Sequence, residues 1–227
     1  MAEGFGLFGK VPSKGDFVTD NLHAEFVQPW DGWLQQTLLL GRDRLGDRWR
    51  ECFLSNPVWR FVLGPGTCGP QAVTGVLASS IDGVGRIYPL TIAAPLGPAV
   101  NPWVLISTWS HGYEKLTDLA LEMVRDKAGF DHATTRLRNV AAALPIPADA
   151  LRAPPGSPEQ PLYPGESGRV ALDDPAAQRL VATALGQAGT AFSLFWLEGW
   201  GLAPFAIIGN GLPDPAGSLT LWEAAAP

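Results

Sequence analysis

The sequence predicts an α/β fold, in which helices and a mostly antiparallel or mixed sheet form a layered sandwich. Apolar residues recur at spacings of three and four in some segments, as on one face of a helix, and alternate in others, as along a strand. Both kinds of segment are mixed along the chain. With 227 residues, 46% of them hydrophobic and 17% charged, the chain can bury the core of a single domain spanning residues 1–227.

The N-terminal region predicts a strand, a turn and a helix. The strand is the short, glycine-rich segment Phe5–Val11, and the turn follows because Pro12 and Gly15 interrupt regular structure. From Leu22 to Leu38, apolar side chains recur at helical spacing. Pro29 lies within that stretch, so we expect the helix to begin, kink or restart there.

The middle of the chain predicts three strands. Residues Pro57–Leu63 alternate, with an arginine between two valines on one face and larger apolar side chains on the other. Segments Gln71–Ile81 and Arg86–Ala94 follow as a hairpin. We expect its turn at Asp82 and Gly83, because an Asp-Gly pair tolerates the positive φ angles of a tight hairpin turn.

Two amphipathic helices are predicted after these strands. The first carries an apolar stripe over Leu116–Val124 and ends near Gly129. The second carries a stripe over Leu137–Leu144, begins at Asp131 as its N-cap and ends before Pro145. Each stripe predicts a helix that buries one face and leaves the other in solvent.

The last third of the chain begins with a predicted proline-rich loop or linker at about residues 145–170. Residues 145–164 alone hold seven of the 21 prolines, a density that neither a helix nor a central strand tolerates. A helix is then predicted from Asp174 to Gly186. Three strands are predicted at the end of the chain: Ala191–Leu197, Phe205–Ile208 and Leu219–Trp222.

Composition and charge exclude several classes of protein. The net charge is −6 and the chain has no basic run, so we expect no nucleic-acid binding. No apolar run reaches the ~20 residues of a membrane span, and the acidic start lacks the apolar core of a signal peptide. The two cysteines, Cys52 and Cys68, are interpreted as reduced thiols. Together these features predict a cytoplasmic protein without membrane insertion.

Two dense segments, Gly6–Phe17 and Gly75–Thr91, are the most unusual part of the sequence. At the start of the first, Gly4, Gly6 and Gly9 match a dinucleotide fingerprint by letter, and the same stretch through Lys10 nearly matches a phosphate-binding loop. However, Pro12 prevents the helix that both motifs need, and Val11 stands where Ser or Thr must ligate magnesium. The three histidines are scattered, with no other ligand at suitable spacing. We therefore predict no cofactor, no metal site and no catalytic residues.

Six polar residues of these segments are candidates for partner recognition or for one buried polar cluster: Lys10, Ser13, Asp16, Ser80, Asp82 and Arg86. In a cluster, Asp82 or Arg86 would pair with Lys10 or Asp16 where the two segments meet. Two local alternatives remain open. Ser13 and Asp16 would satisfy backbone N–H groups at a turn, and Asp82 would pair with Arg86 within the hairpin. Five further residues are predicted to set backbone geometry: Gly9, Pro12, Gly15, Gly85 and Pro89.

The two segments and two later blocks resemble the TagF family, also called ImpM, which is associated with the bacterial type VI secretion system. The matching blocks, in order, are Gly6–Phe17, Pro57–Phe61, Ser80–Thr91 and Ser193–Trp196 with Gly199. The resemblance implies a three-layer α/β/α sandwich. It also implies a cytoplasmic accessory protein that represses secretion after translation. The implied action is binding of the forkhead-associated (Fha) scaffold protein of the system, without catalysis.

Two other functions remain as alternatives. A metal-dependent hydrolase acting on a phosphorylated secretion component would use Asp16 and Asp82 as its carboxylates. A purely structural component of the secretion apparatus would need none of the candidate residues to react. The sequence favours the regulator, because no histidine or carboxylate cluster accompanies the two aspartates.

Overall fold

The computed structural model describes residues 4–96, 105, 108–125, 130–146, 167–171, 191–199 and 205–223. The strands are β1 (Gly6–Gly9), β2 (Val18–Asp20), β3 (Trp59–Leu63), β4 (Val73–Ala78), β5 (Leu90–Pro95), β6 (Ser167–Ala171), β7 (Ser193–Leu197) and β8 (Phe205–Gly209). The helices are α1 (Ala24–Leu45), α2 (Trp49–Leu54), α3 (Ser110–Arg125), α4 (Phe130–Ala143) and α5 (Leu219–Glu223), with a 3-10 turn at Gly46–Arg48.

The eight described strands form one sheet in the order β2-β1-β5-β4-β3-β7-β8-β6. Every described pair of strands is antiparallel. The sheet and its helices confirm the predicted α/β class. The predicted sheet was mostly antiparallel or mixed, and the described part of the chain shows no parallel pair, so a mixed sheet is not found there. Short connections such as the one between β4 and β5 permit only antiparallel neighbours.

The two faces of the sheet pack into two separate apolar cores. Along β3, Trp59, Phe61 and Leu63 belong to one core, whereas Val58 and Val62 belong to the other, as the alternation predicted. Helices α1, α2 and α5 contribute apolar side chains to the first core, which is rich in tryptophan. Helices α3 and α4 supply the second core. Helices thus contribute apolar side chains to both faces of the sheet.

Helix α1 includes Pro29, so the helix neither begins nor restarts there, and of the three predicted possibilities only the kink stays a prediction. Tertiary contacts outweigh the backbone hydrogen bond that proline cannot donate. The Trp30 indole is fully buried and donates a 2.9 Å hydrogen bond to Thr91 in β5. One turn later, the Trp33 indole donates a 2.9 Å hydrogen bond to the carbonyl of Pro213. These contacts hold the helix against the sheet on the C-terminal side of the proline.

The last predicted strand is instead helix α5. The Asp214 side chain accepts a hydrogen bond from the N–H of Gly217, and its carbonyl accepts one of 2.9 Å from the N–H of Ser218. This turn starts a helix that buries Leu221 and Trp222, and Trp222 lies 5.2 Å from Phe53 between ring centroids. A short apolar run has no period of its own, so packing decided its conformation.

Other predicted boundaries shift by a few residues. Strands β2 and β6 were not predicted, and β6 occupies the end of the proline-rich segment proposed at about 145–170. Helix α4 begins at Phe130, so Asp131 lies inside its first turn rather than at the N-cap. Most of residues 145–170, the helix predicted from Asp174 and the C-cap at Gly129 lie outside the described residues. Among the described helices, none has the length and apolar character to cross a membrane.

Candidate functional site at the meeting of the two segments

The two unusual segments are neighbours in the sheet. Strand β1 lies in the first segment and pairs with β5, where the second segment ends. In this pairing Gly9 lies opposite Leu90. A Cβ atom at Gly9 would lie 2.0 Å from the carbonyl oxygen of Pro89, and the φ angle of Gly9 is 130°. Only glycine fits this approach, which brings the following residue, Lys10, beside the second segment.

Asp82 is the centre of the polar contacts at this meeting point. Its Oδ2 accepts hydrogen bonds from Lys10 Nζ at 2.7 Å and from Arg86 Nε at 2.6 Å. Its Oδ1 accepts the backbone N–H groups of Val84 at 3.0 Å and of Arg86 at 2.9 Å. The side chain of Asp82 is fully buried. We call these contacts the Asp82 network.

The Asp82 network keeps its carboxylate ionised. Burial alone raises the pKa of Asp82, but hydrogen bonds from the Lys10 side chain, from Arg86 and from the backbone of Val84 oppose it. The balance holds the pKa of Asp82 well below its ordinary value. A buried carboxylate with a buried cation beside it is costly to disrupt, because either charge alone would be left without a partner.

The hairpin is present, but its turn is not the predicted Asp-Gly turn. The loop closes with Asp82 N–H donating to the Arg86 carbonyl and Gly85 N–H donating to the Asp82 carbonyl, each at 3.0 Å. Gly85, with a φ of 87°, is the residue in the left-handed region. The Asp82 carboxylate accepts two backbone N–H groups of the loop, which favours this three-residue loop over a two-residue turn.

Further hydrogen bonds tie this loop to the turn after β1. The Gly83 N–H donates to the Lys14 carbonyl at 2.8 Å, and Arg86 Nη2 donates to the Gly15 carbonyl at 2.6 Å. Arg86 therefore contacts both segments, although 60% of its side chain is exposed. From α2, Arg50 Nη1 donates to the Gly85 carbonyl at 3.1 Å. The two loops form one hydrogen-bonded unit.

The remaining candidate residues lie around this network rather than in it. Ser80 is buried, and its hydroxyl makes only a long 3.4 Å contact with the Ile81 carbonyl. Ser13 is half-buried beside α3 and α4, and Asp16 is exposed. Within the residues that the structure describes, neither the Ser13 nor the Asp16 side chain makes a hydrogen bond or ion pair.

The residues predicted to set backbone geometry differ in how clearly the structure explains them. Pro12 follows Val11 in a turn closed by the Lys14 N–H donating to the Val11 carbonyl at 3.1 Å, a position that suits the fixed φ of proline. Gly15 has open space where a side chain would start, so no steric reason for glycine exists there.

Two apolar side chains at this site were not singled out from the sequence. Phe17 is 49% exposed and Val84 is 73% exposed. Both lie in turns among glycines and charged residues, and that placement is the signal that could have identified them. Exposure itself depends on tertiary structure, which local sequence patterns do not report.

A second charged pair lies elsewhere in the sheet, between β3 and the end of the neighbouring strand β7. Arg60 is buried and forms an ion pair with Glu198 through Nη1. The Arg60 guanidinium lies 5.9 Å from the ring centroid of Tyr113, whose hydroxyl is 2.6 Å from the Thr74 hydroxyl. Burial raises the pKa of Tyr113. Alternation within β3 marked Arg60 as a charge among apolar neighbours.

Other polar features of the described chain do not gather into a reactive set. No group of three or more His, Cys, Asp or Glu residues suited to a metal ion occurs among the residues with described positions. A cavity of about 350 Å³ lies beside the start of α1, and Cys68 lines it. The Cys68 thiol is free and buried, and burial raises its pKa to about 12.

Comparisons with known proteins identify one matching family model and a similar solved structure. The sequence model described as TagF N-terminal domain, Type VI secretion system-associated, matches residues 6–140. The crystal structure of PA0076 from Pseudomonas aeruginosa PAO1 is similar to this chain, with 30% sequence identity and a TM-score of 0.74. The similarity covers 99% of this chain and 96% of that one. No curated protein matches this chain in sequence.

Proposed function

Because this chain belongs to the TagF family of type VI secretion system-associated proteins, we propose that it is a non-enzymatic repressor of type VI secretion. It acts after translation, in the cytoplasm, by binding the forkhead-associated (Fha) scaffold protein. We further propose that residues 1–227 form a single TagF-like domain with three α/β/α layers. Support for the layers comes from the helices that contribute to both cores.

The observation that carries this proposal is the Asp82 network. Its charged side chains are occupied with one another and with backbone groups, and they hold two loops in one fixed arrangement. A catalytic acid or base must reach a substrate, whereas the Asp82 carboxylate is fully buried and accepts hydrogen bonds from four donors. The network thus supports a rigid recognition surface better than a reactive site.

The same geometry weighs against the alternative hydrolase. A metal ion shared by Asp16 and Asp82 would have to displace both Lys10 and Arg86 from the Asp82 carboxylate. The buried Lys10 ammonium and the exposed Arg86 guanidinium would then face a divalent cation, and the repulsion of the buried charge costs free energy. The structural-component alternative makes a different demand, because it requires this protein in stoichiometric amounts in the assembled apparatus.

The test is a pull-down with the purified, tagged full chain as bait in cytosol from a type VI-competent bacterium, read by mass spectrometry. We expect the forkhead-associated scaffold to be recovered, and we expect the purified scaffold to bind the purified chain in a calorimeter. Recovery of no secretion component, together with a rise in melting temperature when divalent metals are added, would favour the hydrolase. Recovery of the whole apparatus at equal stoichiometry would favour the structural role.

A further inference from the structure

The turn after β1 and the loop before β5 expose apolar and basic side chains side by side. The residues of this two-loop surface are Lys14, Asp16, Phe17, Val84 and Arg86, with Arg50 adjoining from α2. Each of these side chains is exposed. Two exposed apolar side chains on loops that are hydrogen-bonded to each other make this surface a candidate interaction site.

Phe17 is held firmly on its inner side. Its ring lies 4.7 Å from the ring of Tyr88 and 6.0 Å from that of Phe8, measured between centroids. The Lys10 ammonium lies 5.0 Å from the centroid of the same ring. The half of Phe17 that remains exposed is therefore already oriented, and a partner that covers it loses little conformational entropy.

Val84 is also held in a fixed position, but by backbone hydrogen bonds rather than by ring contacts. It lies in the loop between Asp82 and Arg86, and the Asp82 carboxylate accepts its N–H at 3.0 Å. The neighbouring Gly83 N–H donates to the Lys14 carbonyl at 2.8 Å, which fixes the loop to the one that carries Phe17. Both apolar side chains thus stand on a preordered base, as anchors of protein interfaces do.

The charges of this surface differ in sign from the chain as a whole. Arg50 and Arg86 supply two exposed cations, whereas Asp16 supplies the one exposed carboxylate of the two-loop surface. The ammonium of Lys14 lies 5.6 Å from the ring centroid of Phe130 in α4. The whole chain carries a net charge of −6. A local excess of positive charge on an acidic protein attracts an acidic partner and orients its approach.

We propose that the two-loop surface is a docking site for an acidic protein segment that covers Phe17 and Val84 with apolar side chains of its own. The acidic groups of the segment pair with Arg86 and Arg50. The inference rests on the proposed function, because it takes the forkhead-associated scaffold as the protein that carries the segment. Lys10 and Asp82 act only as positioning residues, since both are buried.

The test uses the purified full chain and purified scaffold in calorimetry, with paired substitutions at Val84. Val84→Glu adds a negative charge and Val84→Lys adds a positive one. Because Val84 is exposed, neither substitution should disturb folding. We expect Val84→Glu to weaken binding by about tenfold or more. Val84→Lys should weaken it less, because lysine loses the apolar contact but keeps the attraction to an acidic segment. Leu39→Glu, at an exposed leucine of α1, is the matched control and should leave affinity unchanged.

Each other outcome overturns a distinct statement. Equal losses for Val84→Glu and Val84→Lys would reject an acidic partner segment, and no change for either would reject this surface while the proposed function stands. Co-sedimentation with phosphatidylserine vesicles that Val84→Glu abolishes, with scaffold affinity unchanged, would assign the surface to lipid and reject the docking site. Absence of scaffold binding by the unsubstituted chain would overturn the proposed function and this inference with it.

Discussion

The Asp82 network and the Arg60–Glu198 pair use similar charges in opposite arrangements. In the network, the carboxylate is fully buried, and one of its two cations, Arg86, is 60% exposed. In the other pair the cation is buried, and the carboxylate of Glu198 is 35% exposed. Solvent reaches the anion of one pair and a cation of the other, so the two pairs offer opposite charges to anything that approaches.

The two arrangements differ in which charged side chain a binding partner can contact. Arg60 lies within the regular pairing of β3, opposite Trp196 of β7, and holds strand ends together. Arg86 lies in a loop and reaches solvent while it remains bonded to Asp82 and to the Gly15 carbonyl. A partner can therefore contact Arg86 without breaking the network, and the following substitutions separate these two roles.

The largest effect is expected for Asp82→Ala. This change leaves Lys10 buried without a counterion and removes the acceptor for two backbone N–H groups, so the melting temperature should fall by on the order of 10 °C. Glu198→Ala also leaves a buried cation, Arg60, without its counterion. It should lower the melting temperature by roughly a third as much, because water can enter where the 35% exposed carboxylate stood and solvate the guanidinium. Thermal unfolding followed by circular dichroism measures both. Equal losses would contradict the comparison.

A pH-dependent effect of intermediate size is expected from the same residue. The pKa of Asp82 lies below its ordinary value in the folded protein, so its contribution to stability is present above about pH 4 and is lost as pH falls through and below that value. Asp82→Asn cannot titrate. Urea unfolding midpoints at falling pH should therefore show the gap between the unsubstituted chain and Asp82→Asn narrowing. A gap that stays constant from neutral to acid pH would contradict this assignment.

The smallest effect on stability is expected for Asp16→Ala combined with Arg86→Ala. Both side chains are exposed, and Asp82 keeps its bond to Lys10, so the melting temperature should change by only a few degrees, on the scale of ~1 kcal/mol. Affinity for the forkhead-associated scaffold should nevertheless fall by about tenfold or more. Arg42→Ala with Asp43→Ala, an exposed pair of opposite charges on α1, is the control. Unchanged scaffold affinity would remove Asp16 and Arg86 from the recognition surface.

Local periodicity made the regular elements predictable. The alternation in β3 and the apolar stripe of α3 both follow from residues within a few positions of one another, and both are present in the structure. The segment 219–222 was wrongly predicted as a strand because four apolar residues carry no period. Its helix depends on Asp214 and on packing against α2, neither of which belongs to the run itself.

The candidate site was predictable only in part, for a similar reason. The sequence indicated that charges of the two segments could meet, but it did not identify Lys10 and Asp82 as the pair. These residues are 72 positions apart, and no local rule selects Lys10 over Asp16. The exposure of Phe17 and Val84 was not predicted, because it depends on which parts of the fold cover each side chain and local sequence patterns do not report this.

The contact between Gly9 and the Pro89 carbonyl has a consequence for how the sheet assembles. If β1 slipped by one residue along β5, a side chain of Phe8 or Lys10 would stand where a Cβ atom lies 2.0 Å from that carbonyl oxygen. The misaligned pairing is therefore sterically rejected as the strands come together. Because Gly9 has no side chain, β1 can pair with β5 in this one register. In that register the ammonium of Lys10 lies beside Asp82.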